Sequence, residues 1–334
     1  MLRMDSVIVS NTTQIATQPI ALGFNIVMMN DENPNNQDGQ NSQLYSECDN
    51  KDRDQVRFIV MSDSHQFYKN HLKHLSDVLL KQNSKFGEVL LKQKIHHEND
   101  SGNDPHCCQQ LLLLDQEQHH HSNKHNKQYN VLLHCGDFGF YGKEKSLHNF
   151  NNEFLANVKD MFDAIIVILG NHDHPFMEAM DFNVANFKHL YLSNATHLLF
   201  DSAVSLFNDR VKIHGVSWQS KEEHTFCFHQ YPSELHEELV QRLKMKKLLK
   251  IEKDTNILLS HEPPQGNLDD GSGSKALSQY ILNASGQALK VVAFGHVHSK
   301  YGYETTKAKG NRTVHMINAA VNMSNAPVYF DYFL

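Results

Sequence analysis

A chain of 334 residues that is 40% apolar has room for one large α/β domain plus decoration, or for two small domains, with part of its length outside any packed core. The formal net charge of -7 excludes a general binder of duplex nucleic acid, because no basic excess exists to neutralise phosphates. No run of about 18 apolar residues occurs, so no membrane span is expected.

The first segment is short of apolar residues. Residues 1–55, with "NDENPNNQDGQNSQ" at their centre, are rich in Asn, Gln, Asp and Ser and show no sustained periodicity, so a disordered extension is expected. Its opening patches lack the continuous apolar stretch of a secretory signal. The five cysteines (Cys48, Cys107, Cys108, Cys135 and Cys227) are too irregularly spaced for a disulfide framework. Reduced thiols and a cytoplasmic protein are therefore expected.

From residue 56 onward one interrupted domain is expected. "RFIVMS" (57–62) reads as a buried strand, and 69–93 as an amphipathic helix with Leu72, Leu75, Leu79 and Leu80 on one face. A His-rich, low-complexity insertion comes next at about 93–128 and reads as a surface loop. Further apolar runs predict strands at 130–135, 164–169, 211–216, 256–260, 291–294 and 314–320. Amphipathic helices are expected at 146–162 and 233–252. Strands alternating with helices imply a layered α/β domain. Neither GxGxxG nor a Walker A sequence occurs, which excludes dinucleotide and P-loop chemistry on sequence grounds.

The residues just past each apolar run are more telling. "RFIVMS" leads into Asp63-Ser64-His65, "NVLLHC" into Gly136-Asp137, and "AIIVIL" into Gly170-Asn171-His172-Asp173. "NILLS" leads into His261, and "VVAF" into Gly295-His296-Val297-His298. Ligands of α/β sheets bind at the carboxyl ends of strands, so these ends are expected to converge on one centre. Taken together they offer more oxygen and nitrogen ligands than one first-row metal uses at four- to six-coordination. They suit two ions about 3.5–4 Å apart that share a carboxylate, for which Asp137 is the central candidate. Imidazoles and carboxylates without a thiolate favour Mn, Fe or Zn. Any one piece is weak: Asp104-Pro105-His106 repeats Asp-x-His inside the low-complexity tract. The order of five at strand ends carries the weight.

The ordered set "DSH…GD…GNHD…H…GHVH" resembles the calcineurin-like metallophosphoesterase superfamily. "HGVSWQ" (214–219), "SHEPPQG" (260–266), "GHVHSKYGYE" (295–304) and "INAAV" look like its metallophosphoesterase-domain-containing (MPPED) branch. The resemblance covers 57–334 apart from the insertion, which accounts for the long gap between His65 and Asp137. It implies a four-layer α/β sandwich of two mixed β-sheets flanked by helices. It also implies that one metal takes Asp63, His65, Asp137 and His298, and the other Asp137, Asn171, His261 and His296. His172 would face the substrate phosphate as acid or electrostatic stabiliser, with Asp173 orienting it. The implied activity is metal-dependent hydrolysis of small-molecule phosphodiesters, with cyclic nucleotides as the implied substrate class. The alternative is a non-catalytic scaffold on the same fold, which predicts loss of the catalytic histidine; His172 is present.

Overall fold

The computed structural model describes residues 25–27, 53–65, 72, 75, 127–140, 143–217, 237–321 and 327–334. Two six-stranded sheets form its centre. The first runs in the order β1 (Asn25–Val27), β12 (Val328–Phe333), β2 (Gln55–Met61), β3 (Gln128–His134), β4 (Ala164–Val167), β5 (His197–Leu198). The second runs β10 (Gly302–Ala308), β11 (Arg312–Asn318), β9 (Val291–Phe294), β8 (Ile257–Ser260), β7 (Val211–Val216), β6 (Ser202–Leu206). Both are mixed. Strands β2 to β5 pair in parallel, as do β7, β8, β9 and β11, and antiparallel strands complete three of the four edges, β5 being parallel.

Continuous apolar runs arise because the central strands are buried on both faces. Phe58, Val60, Val131, Leu133 and Ile166 of the first sheet pack against Ile213, Ile257, Leu259, Val291 and Ile317 of the second. Their alternates Ile59, Met61, Leu132, Ile165 and Val167 face outward onto a helical layer containing Leu75, Leu147, Phe150, Phe154 and Phe187. Leu258, Val292, Phe294, Val314 and Met316 meet a second helical layer through Leu248, Leu277, Tyr280 and Ile281. Each fully buried side chain of this size stabilises the fold by roughly 1.5–3 kcal/mol relative to exposure. The expected four-layer sandwich is therefore present.

The first helical layer comprises α1 (Glu144–Asn149), which continues through π, α and 3-10 turns to Met161, then α2 (His174–Ala179) and α3 (Val184–Tyr191). The second comprises α4 (Glu237–Leu248) and α5 (Lys275–Gln279), extended by a π turn over Tyr280–Ala284. Among the described residues no helix is long and apolar enough to cross a membrane. Leu72 and Leu75 are helical, as their spacing predicts; the rest of 69–93, and the His-rich tract up to 126, lie outside the described residues.

Asn25–Val27, within the stretch read as disordered, pairs antiparallel with Tyr329–Asp331 of β12. The polar average over 1–55 hides a local patch, "NIV", that adds a short strand to the open edge.

The sheets draw together at one end. Ser62, just past β2, donates its N–H to Ala319 O at 2.8 Å and accepts Val321 N–H at 2.8 Å, bridging the first sheet to the segment after β11. Parallel strands from both sheets finish at this seam.

Candidate active site

The loops after β2 and β3 are locked together by backbone hydrogen bonds. Asp63 N–H donates to Gly136 O at 2.9 Å and His65 N–H to Asp137 O at 3.0 Å. Asp63, His65, Asp137 and His296 all hold positive φ, at 57°, 42°, 56° and 69°. Such conformations are uncommon for side chains of this size and cost of order 1–3 kcal/mol each. Here they turn four side chains inward from three strand ends.

The side chains meet at short range. Asp63 Oδ2 accepts His296 N–H at 2.8 Å, and Oδ1 lies 3.1 Å from His298 Nε2. Asp137 Oδ1 accepts His172 N–H at 2.9 Å. Its Oδ2 lies 3.2 Å from His261 Nε2 and 3.7 Å from His172 Nε2. Asn171 Oδ1 sits 3.1 Å from His261 Nε2 and 3.2 Å from His296 Nδ1. Two rings are aimed by their outer nitrogens: His65 Nδ1 donates to Gly139 O at 3.0 Å, and His261 Nδ1 to Cys135 O at 2.7 Å. That fixes the tautomer and turns each Nε2 toward the centre.

The glycines of "GNHD" and "GHVH" serve close approach. Neither Gly170 nor Gly295 adopts positive φ. A Cβ on Gly170 would lie 2.1 Å from Asp137 Oδ1, and one on Gly295 would lie 2.1 Å from Ser62 Oγ and 2.2 Å from Asp63 Oδ2.

Electrostatics follow from packing two buried carboxylates among imidazoles. Burial opposes charge on Asp137, but His261, then His172 and His65, hold it well below the usual carboxylate range. Burial also opposes charge on Asp63, and His261 and His298 outweigh it, setting it at about 2. Burial alone would lower His261, yet Asp137 and Asp63 push it up to about 10. The hydrogen bond to Asp63 raises His298. His172 moves down, chiefly through burial, against the pull of Asp137. These carboxylates hold positive charge on their neighbours, as a cation site does.

The donor set fits divalent metal ions. Ligand atoms of Asp63, His65 and His298 lie within 4.8 Å of one another, as do those of His65, Asp137 and His172, and those of Asp137, His261 and His296. All are oxygen or imidazole nitrogen, which suits borderline first-row ions. Distance alone leaves His172 within ligand reach. The structure brings the strand-end residues Asp63, His65, Asp137, Asn171, His172, His261, His296 and His298 together at this centre.

Asp173 also holds the backbone of the site. Its Oδ2 accepts the N–H groups of Asp137 and Gly170 at 2.8 and 2.9 Å, and Oδ1 accepts Gly139 N–H at 2.6 Å. The carboxylate thus clasps two loop backbones. Burial, then the neighbouring Asp137 carboxylate, push it up to about 8, against three N–H donors that favour its charged form.

Other contributors escaped sequence reasoning. Cys135 and Gly139 act through backbone carbonyls, which leave no side-chain signal. His134 accepts Gly136 N–H at Nδ1 (3.2 Å) and lies 2.9 Å from Ser64 Oγ through Nε2, bracing both loops from within the core. Its position one residue from the end of a predicted strand was the available clue. Cys107, Cys108 and Asp104-Pro105-His106 lie outside the described residues.

Known proteins are similar to this chain. UPF0046 protein T07D4.2 of Caenorhabditis elegans is 27% identical over 228 residues, covering 60% of this chain and 54% of that protein. UPF0046 protein K07C11.7 of the same organism is 28% identical over 198 residues, covering 57% of this chain and 62% of that protein. The chain thus spans less than two thirds of the length of these curated relatives. The crystal structure of TT1561 of Thermus thermophilus superposes with a TM-score of 0.44 and 12% identity, covering 80% of this chain and 90% of that one. The family model for calcineurin-like phosphoesterases matches residues 56–300. That match takes in every strand end from Asp63 to His298, and the chain belongs to the calcineurin-like phosphoesterase family.

Proposed function

We propose that the protein is a phosphodiesterase of the MPPED branch that depends on two divalent cations drawn from Mn, Fe and Zn. Its proposed substrates are small phosphodiesters, cyclic nucleotides among them. The observation that carries the reading is the overlap of ligand trios: His65 belongs to two of them and Asp137 to two. We assign Asp63, His65, Asp137 and His298 to one cation, and Asp137, Asn171, His261 and His296 to the other.

Two bound cations would acidify water held between them and neutralise phosphoryl oxygens. Asp137, buried and flanked by imidazoles, supplies the shared negative charge. Asn171 brings a neutral carbonyl oxygen, so it binds without adding charge that would repel a phosphate. His172 is next in sequence, its side chain 15% exposed where that of His261 is fully buried, which leaves it able to meet a substrate. In its protonated form it donates to the leaving oxygen of the diester. Asp173 keeps the loops of Asp137 and Asn171 at fixed separation. The presence of His172 favours turnover over a scaffold role. A cytoplasmic setting suits the buried Cys135 thiol, which burial and Asp63 raise and keep protonated.

The test is a panel of phosphodiesters and phosphomonoesters assayed with Mn²⁺. Preference for diesters supports the proposal, and selective monoester hydrolysis would overturn the substrate class.

A further inference from the structure

Asn318 is the last residue of β11 and is fully buried. Its side chain joins three chain segments. Oδ1 accepts Ala320 N–H at 3.1 Å. Nδ2 donates to Val297 O at 3.0 Å and to Leu268 O at 3.2 Å. An amide carries two N–H donors and one carbonyl, and only this orientation satisfies a backbone donor and two carbonyls together.

The two carbonyls belong to loops of the site. Val297 lies between His296 and His298, and its carbonyl also accepts Lys300 N–H at 3.0 Å. Leu268, with φ of 47°, lies in the loop that leaves β8 through His261 and Glu262. The backbone around Asn318 is already anchored: Ala319 N–H donates to Phe294 O at 2.8 Å, and Val321 N–H to Ser62 O at 2.8 Å. The amide therefore extends from a fixed seam to loops whose exits carry His261, His296 and His298. His296 at φ 69° cannot relax while Val297 O is held on one side and its own N–H is held by Asp63 on the other.

We propose that Asn318 is a positioning residue for the cation centre: it fixes the Val297 carbonyl so that His296 and His298 diverge toward two ions, and couples that loop to the one after His261. The inference rests on the dinuclear reading above. A merely structural buried amide would add to stability and leave the cation affinity of the folded protein alone. A positioning amide sets that affinity, because groups that orient metal ligands typically account for about 10–100-fold in binding.

The experiment is calorimetric titration of the metal-depleted full chain with Mn²⁺, on wild type, Asn318→Asp and Asn318→Ser. Asn318→Asp keeps the shape but turns a carboxylate oxygen toward two carbonyls; Asn318→Ser is milder and keeps one donor. Both variants should bind Mn²⁺ about 10–100-fold more weakly, Asp more than Ser. The Lys300 amide should exchange faster than in wild type in the metal-free state. If Asn318→Asp does not fold, Asn318→Ser carries the test. Wild-type affinity in a folded variant, with only the melting temperature lowered, would overturn the proposal. Wild type that binds fewer than two ions would instead overturn the dinuclear reading itself.

Discussion

Asp173 Oδ2 accepts the N–H of Asp137 at 2.8 Å, so the carboxylate that follows the candidate acid in sequence is bound to the backbone of the central candidate ligand. Asp173→Asn would set an NH₂ group against N–H donors. It should cost on the order of 2–3 kcal/mol, read by denaturant unfolding. The ratio of alkyl to nitrophenyl diester hydrolysis should stay at the wild-type value. A changed ratio with unchanged stability would show that the carboxylate acts through the His172 ring.

His172→Ala should keep both cations while turnover falls on the order of 10²–10⁴-fold for an alkyl phosphodiester. A nitrophenyl diester should lose much less, because its leaving group scarcely needs a proton. Metal analysis beside the two rates decides the role. Loss of metal with activity would make His172 a ligand.

Gly295→Ala puts a methyl 2.1 Å from Ser62 Oγ and 2.2 Å from Asp63 Oδ2. Both belong to the buried seam, so the strain should fall on the site: about 1–3 kcal/mol of stability and weakened Mn²⁺ binding. Calorimetric titration checks the second effect. Undiminished affinity would show that Asp63 can shift without consequence.

The fold predicts an acid-side dependence away from the site. His315 is buried, its Nδ1 lies 2.8 Å from Tyr303 Oη, and burial, then Lys290, lower its pKa from 6.5 to about 4. The unfolded chain therefore binds the extra proton first. This contribution to stability is present above pH 6.5 and is lost as pH falls from 6.5 through about 4. His315→Gln should flatten the stability profile across that window in urea unfolding. An unchanged profile would assign the dependence to other groups.

Legibility in the sequence tracked burial. β7 and β9 match the runs 211–216 and 291–294 to the residue: β9 is apolar and buried on both faces, and β7 alternates buried Val211 and Ile213 with half-buried Lys212 and His214. β10, "GYETTKA", gave no such run because it is an edge strand with several residues partly or fully exposed. β5 has two residues, too few for any period. The candidate ligands were legible because their types and strand-end positions carry chemistry. What stayed hidden acts through geometry: the carbonyls of Cys135 and Gly139, the clasp of Asp173 on backbone N–H groups, and the three bonds of Asn318.

The most direct test of the central claim is Mn²⁺ titration of the metal-depleted protein while following hydrolysis of bis(4-nitrophenyl) phosphate. The account predicts activity that rises to a plateau at two equivalents of Mn²⁺ per chain, and that Asp137→Asn abolishes along with binding at both positions. A protein that binds two equivalents yet hydrolyses no phosphoester, or an Asp137→Asn variant with full activity, would contradict it.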